Sequence, residues 1–265
     1  MNQIETCAST PLPFGESDIQ VRTAKMYPRD VRKCLEEAEH MATLNEEIAA
    51  SCFYSLPRKS KNQQGIMEVK NLQGASVRLA EIIASAWGNV YAATRIADND
   101  GLSITAEAYC WDLEKNVRIG TQVKRSITTK EGRRFSQDMQ TVTENAASSI
   151  ALRNAIFKVI PRSYVEDLYK KCQEKALGNG NAASKFEGKR QAVFDRFKAL
   201  GISEEKIFNF FGKTSIKEFD MEDVKNLIGM GTAINDGHLK LEEAFQLEYS
   251  KSDELADRLG GSSNE

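Results

Sequence analysis

Residues 102–129 read LSITAEAYCWDLEKNVRIGTQVKRSITT, and the fold turns on them. Two runs of alternating apolar and polar residues flank Glu114-Lys115-Asn116, a short polar connection of the kind that joins antiparallel strands. In the first run Ile104, Ala106, Ala108 and Cys110 share one face, and Thr105, Glu107, Tyr109 and Trp111 share the other. In the second, Val117, Ile119, Thr121, Val123 and Ile127 share a face, while Arg118, Gln122, Lys124, Ser126 and Thr128 point the opposite way. A further strand pattern, VYAATRIA (90–97), precedes them across Asp98-Asn99-Asp100-Gly101. The spacing predicts a three-stranded antiparallel meander with an apolar buried face and a polar, partly basic open face.

Helical patterns stand on both sides of these strands. In VRLAEIIASAWGN (77–89), Val77, Leu79, Ala80, Ile83, Ala84 and Trp87 form an apolar stripe, and Gly88-Asn89 stops it. QDMQTVTENAASSIALRNAIFKVI (137–160) predicts a long helix whose alanines and serines permit close packing on a sheet. Pro161 breaks it, and YVEDLYKKCQEKAL continues as another helix. Upstream, Pro28 opens a helical pattern carrying Val31, Leu35, Ala38, Met41, Ala42, Leu44 and Ile48. Residues 57–65, PRKSKNQQG, read as a polar, basic connector, and residues 1–27 as disordered. The expected architecture is therefore α+β, an antiparallel meander backed by helices over residues 28–177. A linker at 178–188, marked by Gly178-Asn179-Gly180, leads to a small helical domain at 189–249 and a flexible tail at 250–265. Phe194, Phe197, Leu200, Ile207, Phe208, Phe210, Phe211, Val224, Leu227 and Ile228 are the candidate core of that helical domain. Ser203 and Asp220 read as helix caps, and Ser215 with Glu218 as a capping box.

Composition narrows the classes. The 265 residues are 41% apolar and 28% charged, enough for a real core and unlike a disordered chain. A transmembrane helix needs about eighteen or more consecutive apolar residues, and no such run is present. The opening MNQIETCASTPLPFGESD has neither a basic n-region nor an apolar h-region, so no secretory leader is expected. Cys7, Cys34, Cys52, Cys110 and Cys172 are odd in number and contain no C-x-x-C, which reads as reduced thiols in a cytoplasmic protein. The formal charge of −2 hides an asymmetry: residues 58–134 carry 13 basic against 8 acidic groups, and residues 178–265 carry 12 against 16. A basic middle is compatible with a polyanionic partner.

Several short motifs have bland readings that outweigh the chemical ones. Gly212-Lys213-Thr214 lacks the glycine a phosphate-binding loop needs five positions earlier, where Ile207 stands in a phenylalanine-rich helical pattern. Asp98, Asp100, Gly101 and Glu107 fit four positions of a calcium loop, but Ile96 occupies the first ligand position and strands flank it, so a β-turn is expected. The two histidines, His40 and His238, sit in no ligand cluster. Glu68-Val69-Lys70 matches the end of a metal-dependent nuclease motif, with Glu46 and Glu47, on a predicted helix, as the nearest upstream acids.

The cations carry more weight. Arg78 stands in the first turn of a helix, where backbone N–H groups favour an anion. Lys124 lies on the polar face of the third strand and Arg125 opposite to it. Lys130, Arg133 and Arg134 cluster in the turn that follows, and Arg153 and Lys158 project from the alanine-rich helix. These eight are the candidate phosphate ligands, with Tyr109, Trp111 and Phe135 as candidate stacking surfaces. A solvated charged face, with the aromatics in core or subunit contacts, is the competing reading.

The order helix, three-stranded meander, long helix, together with SVRLAEIIASAWGN, ITAEAYCWDLE, VRIGTQVKRSIT and TENAASSIALRNAIFKVIP, resembles the phage single-strand annealing proteins grouped with RecT, Redβ, Erf and Sak. These look related to the eukaryotic annealing protein of double-strand-break repair. Trp87-Gly88 and Ala151-Leu152-Arg153-Asn154-Ala155 occupy the places of that family's aromatic-Gly region and Ala/Leu-Arg-Ala helix. The resemblance, over roughly residues 70–165, implies a β-β-β-α annealing core that binds single-stranded DNA and holds the annealed duplex. It further implies a homo-oligomeric ring or filament, no enzymatic activity and no cofactor. Residues 189–249 would then engage a companion 5'-3' exonuclease or the host single-strand-binding protein, in the bacterial host cytoplasm and away from any membrane. A ring-forming adaptor without a DNA role, and a nuclease using Glu68 and Lys70, are the rival expectations.

Overall fold

The computed structural model describes residues 14–61, 67–129, 131–178, 183–241 and 243–245. The chain divides into two compact units, Met1–Phe53 with Ala75–Ala176 and Tyr54–Gly74 with Leu177–Glu265.

In the first unit the pattern beginning at Pro28 splits into two helices because two caps interrupt it. Asp30 accepts hydrogen bonds from the Arg32 and Lys33 N–H groups to start α2 (Val31–Ala42), and Asn45 accepts from the Ile48 N–H to start α3 (Glu46–Ser51). Ahead of them, α1 (Phe14–Met26) is a helix where disorder was expected. Its apolar residues follow no helical period, with Ala24 buried and Ile19 and Met26 exposed, so patterning carries no sign of it. Residues 1–13 lie outside the described residues.

Helix α4 (Val77–Trp87) starts at Ser76, whose hydroxyl accepts from the Leu79 N–H and donates to the Ser51 carbonyl. It stops at Gly88, where a φ of 62° suits a residue without a side chain. Strands β3 (Val90–Asn99), β4 (Ser103–Asp112) and β5 (Val117–Ser126) then form an antiparallel sheet in the order β3-β4-β5. Helix α5 (Gln137–Val159) crosses all three strands, most extensively β4. Ala146, Ala147, Ala151 and Ala155 of the helix and Ile104, Ala106, Ala108 and Cys110 of the strand are sealed from solvent. Thr121 donates its hydroxyl to the Ala151 carbonyl at 2.8 Å, a close approach that short side chains permit. After Pro161, α6 (Arg162–Ala176) packs on α3 and α2.

A buried ion cluster closes the end of the sheet. The Arg29 guanidinium grips both Asp112 oxygens at 2.8 and 2.7 Å, and its Nε donates to Glu114 at 3.0 Å. Asn89, itself held at a φ of 50°, donates to the same Glu114 oxygen at 2.6 Å. The guanidinium also lies 5.2 Å from the Trp87 ring centroid, so the aromatic end of α4 covers the ion pair. Burial raises the Asp112 carboxyl, but the Arg29 hydrogen bonds and charge and the Lys115 N–H outweigh it, leaving Asp112 below the usual carboxylate range.

In the second unit, β1 (Phe53–Lys61) pairs with β2 (Met67–Ala75) in a two-stranded sheet, and Tyr54–Gly74 belongs with the C-terminal helices. The stretch from Pro57 to Lys61 is thus strand rather than connector, and residues 62–66 lie outside the described residues. Buried Ser55 donates to the Asn226 side-chain oxygen at 3.0 Å, and Gln73 donates to that oxygen at 2.8 Å. These partners lie over 140 residues away, beyond the reach of local pattern. Helices α7 (Ala183–Ala199), α8 (Glu204–Phe211) and α9 (Met221–Asn235) complete the unit. Helix α7 begins inside the stretch expected as linker, and residues 179–182 and 246–265 lie outside the described residues.

Phe194, Phe197, Ile207, Val224 and Leu227 are buried as expected, joined by Phe219 and Met230, whereas Leu200 is exposed. Phe194 and Phe219 meet edge to face with centroids 4.9 Å apart. Asp220 and Asp223 form a reciprocal capping box. Ser215 does not cap: it makes no bond to a helix N–H, and its hydroxyl donates to Glu218 instead. A methyl group added at Gly229 would fall 2.7 Å from the Ser55 nitrogen, so glycine lets β1 cross α9 at close range.

The fold is α+β, with a three-stranded antiparallel sheet, a two-stranded sheet and helices. Among the described residues no helix is long and apolar enough to cross a membrane. The described cysteines Cys34, Cys52, Cys110 and Cys172 are buried free thiols.

Candidate nucleic-acid interface

The strand register assembles the open face of the sheet in cross-strand rows. Tyr91, Trp111 and Arg118 form the first row, and Ala93, Tyr109 and Gly120 the second. Arg95, Glu107 and Gln122 form the third. After a register shift between Ile96 and Asp98, Asp98, Thr105 and Lys124 form the fourth. Residues directly opposite one another in an antiparallel pair share a face, so these side chains stand away from α5.

The upper rows are aromatic and linked. The Tyr91 and Tyr109 rings lie 5.8 Å apart, and the Arg118 guanidinium sits 4.0 Å from the Tyr109 ring centroid. The Trp111 indole N–H donates to the Asn116 side chain at 3.2 Å. Burial, then the neighbouring Tyr91 hydroxyl, pushes the Tyr109 phenol above its usual range, so it stays neutral at physiological pH. The lower rows are charged and paired. Arg95 meets Glu107 at 2.7 Å, and Lys124 meets Asp100 at 3.2 Å. Asp100 accepts from the Leu102 N–H and from the Ser103 N–H and hydroxyl, and with Lys124 these hold its carboxyl far below the ordinary range.

The eight expected phosphate ligands are not gathered on this face. Lys124 stands on it, but Arg125 pairs opposite Ile104 and belongs to the side covered by α5. Lys130 lies outside the described residues. Arg133 is exposed in the turn after β5, and Arg134 bridges Thr128 and donates to Gln140 of α5 at 3.2 Å. Arg153 is half-buried on α5 and donates to Asn154, and Lys158 is exposed near that helix's end. Arg78 is exposed in the first turn of α4.

Of the stacking candidates, Tyr109 and Trp111 stand on the open face, whereas Phe135 folds back so that its N–H reaches the Ile127 carbonyl at 2.8 Å. The described candidates are thus distributed among the sheet, the turn that follows it and the two helices α4 and α5. Tyr91, Arg95 and Arg118 are the members that residue-by-residue reading misses. Alternation places Arg118 on the open face, but only register sets it beside Tyr109.

The other motifs resolve locally. Gly212 ends α8 with φ 66° and ψ 35°, Lys213 pairs with Asp223, and the Thr214 hydroxyl donates to Glu218. Asp98 and Asn99 are the last residues of β3, and Asp100 and Gly101 lie in the connection to β4. Glu68 and Lys70 lie on β2 and the acids Glu46 and Glu47 on α3, and the Glu68 side chain is outside the described residues. Among the described residues no three His, Cys, Asp or Glu side chains stand together as a metal site. No protein-family model, curated protein or solved structure matches the chain.

Proposed function

We propose that this protein binds single-stranded DNA and anneals complementary strands, without a nucleotide cofactor and as a homo-oligomeric ring or filament. The observation that carries the reading is the open sheet face, where Tyr91, Tyr109 and Trp111 lie beside Arg118, Arg95 and Lys124. Aromatic rings on a solvent-facing sheet offer every base a π-surface irrespective of sequence, at about 1–3 kcal/mol per base. Neighbouring cations meet the phosphates. The succession of helix, meander and backing helix supports the resemblance to annealing proteins, whose β-β-β-α core this unit would represent. Annealing breaks no covalent bond, so the chain needs no nucleophile or metal for it. One subunit touches only a few nucleotides, and repetition of the face would hold a nascent duplex until enough pairs form. Within this reading the protein works in a bacterial host cytoplasm. Residues 189–249 would serve a companion 5'-3' exonuclease or the host single-strand-binding protein.

The test is anisotropy of a labelled oligonucleotide over a salt series, followed by annealing of two complementary strands without ATP. Binding that weakens steeply with salt, together with annealing, is expected. No binding at low salt, or affinity indifferent to salt, overturns the reading. The acid partners of Arg95 and Lys124 favour one alternative, a ring-forming adaptor that has no DNA role. It predicts oligomers in light scattering with no oligonucleotide shift.

A further inference from the structure

We infer that Ala93, Tyr109 and Gly120 form a slot for one unstacked nucleobase, and that Arg118, lying over the Tyr109 ring in the free protein, leaves that ring for the adjoining phosphate when a base enters. This rests on the proposed function and names the element of the open face that receives the base.

The slot follows from the register. Tyr109 is flanked across the sheet by the two smallest residues of the open face, Ala93 on β3 and Gly120 on β5. In the rows on either side, the corresponding neighbours are Tyr91 with Arg118 and Arg95 with Gln122. Tyr109 therefore stands in a notch bounded by long side chains. The backbone does not require the glycine. Gly120 has no positive φ, and a methyl group added there would meet only the Ala108 carbonyl oxygen at 3.7 Å, an ordinary contact. A strand interior ordinarily disfavours glycine, so its presence leaves space rather than relieving strain.

The Tyr109 ring beside that space is covered by a guanidinium. Arg118, two residues before Gly120 on the same face, places its guanidinium carbon 4.0 Å from the Tyr109 ring centroid. A planar delocalised cation and a nucleobase compete for one ring face, because both bind it by stacking. A guanidinium displaced from the ring keeps its charge and its fork of donors, which match a phosphate. Entry of the base thus frees a phosphate ligand beside it, coupling the two contacts that a single strand offers and a bare polyanion does not.

The experiment compares anisotropy of an oligothymidylate with that of an abasic oligomer of equal length, for the intact protein and for Gly120→Val. Valine suits a strand and fills the notch, so the thermal midpoint is expected to hold or rise. Affinity for the abasic oligomer should stay at the wild-type value, and the preference for the base-bearing strand should fall about tenfold, the share of the one base stacked on Tyr109. A Gly120→Val protein whose preference is undiminished overturns the slot while leaving the proposed function intact. A wild-type protein that binds neither oligomer overturns both. Arg118→Lys, which leaves the backbone unaltered, is the second variant. It keeps the charge but covers the ring less well, so preference for bases should be kept or rise about two- to fivefold. Loss of that preference in Arg118→Lys overturns the exchange.

Discussion

The two faces of β4 are made from one strand and obey different rules. On the side under α5, Ile104, Ala106, Ala108 and Cys110 are each 0% exposed, and small residues prevail because a helix must come close. On the other side, Thr105, Glu107, Tyr109 and Trp111 are half-buried, and the face carries large or charged side chains that reach solvent. Size and polarity are limited by packing on one face and free to serve chemistry on the other. Substitutions on the covered face should therefore register as lost stability, and those on the open face as altered binding.

The largest expected effect is at the covered end of the strand. Arg29→Met strands the Asp112 carboxylate in the interior and should cost about 3–5 kcal/mol in chemical denaturation. Asp112 and Glu114 both lie below their ordinary values in the folded protein. The stability they supply is then present above about pH 4 and lost as pH falls through the depressed values. Denaturation midpoints of the wild type should fall in acid, and those of Arg29→Met should depend less on pH over the same range. An unchanged acid limb in the variant would show that this cluster does not set it.

Next comes overpacking. Ala151→Leu inserts three carbons where α5 meets the sheet and should destabilise by about 1–3 kcal/mol. Equal stability would mean that the helix is free to lift, and the contrast between the faces would fail. On the open face, Trp111→Ala should change the denaturation midpoint little and weaken oligonucleotide binding about tenfold. A large stability loss without a binding change would instead make the tryptophan a structural residue. The smallest stability effect is expected for Glu107→Gln, which neutralises the carboxylate that pairs with Arg95. The pair is substantially exposed, so stability should move by less than about 0.5 kcal/mol. Oligonucleotide affinity should rise several-fold at low salt as a negative charge leaves the open face, and a fall would refute a phosphate-binding role for Arg95.

The meander, α4, α5 and the Pro161 break are legible because each is written in short-range periodicity and punctuation. The strand at Pro57–Lys61 is not, since its proline and three bases match a solvated connector. What makes it a strand is pairing with β2, within a unit where Ser55 reaches Asn226. Helix α1 escapes for the opposite reason, having no apolar stripe to read. In the candidate site, Tyr109 and Trp111 follow from alternation alone. Arg125 is excluded from their face by the same rule, and Arg153 and Lys158 by the placement of α5 on the covered side.

By itself the chain's order of residues determined which side of each central strand would be greasy and where α4 and α5 would start and stop, because those properties depend on neighbours a few positions away. Only tertiary structure decided that Gly120 lies opposite Tyr109, that Arg118 covers its ring and that Ser55 meets Asn226. Such pairings are set by register and by the contact of distant segments, and a period of two or 3.6 residues carries no record of which strand or helix will be the partner.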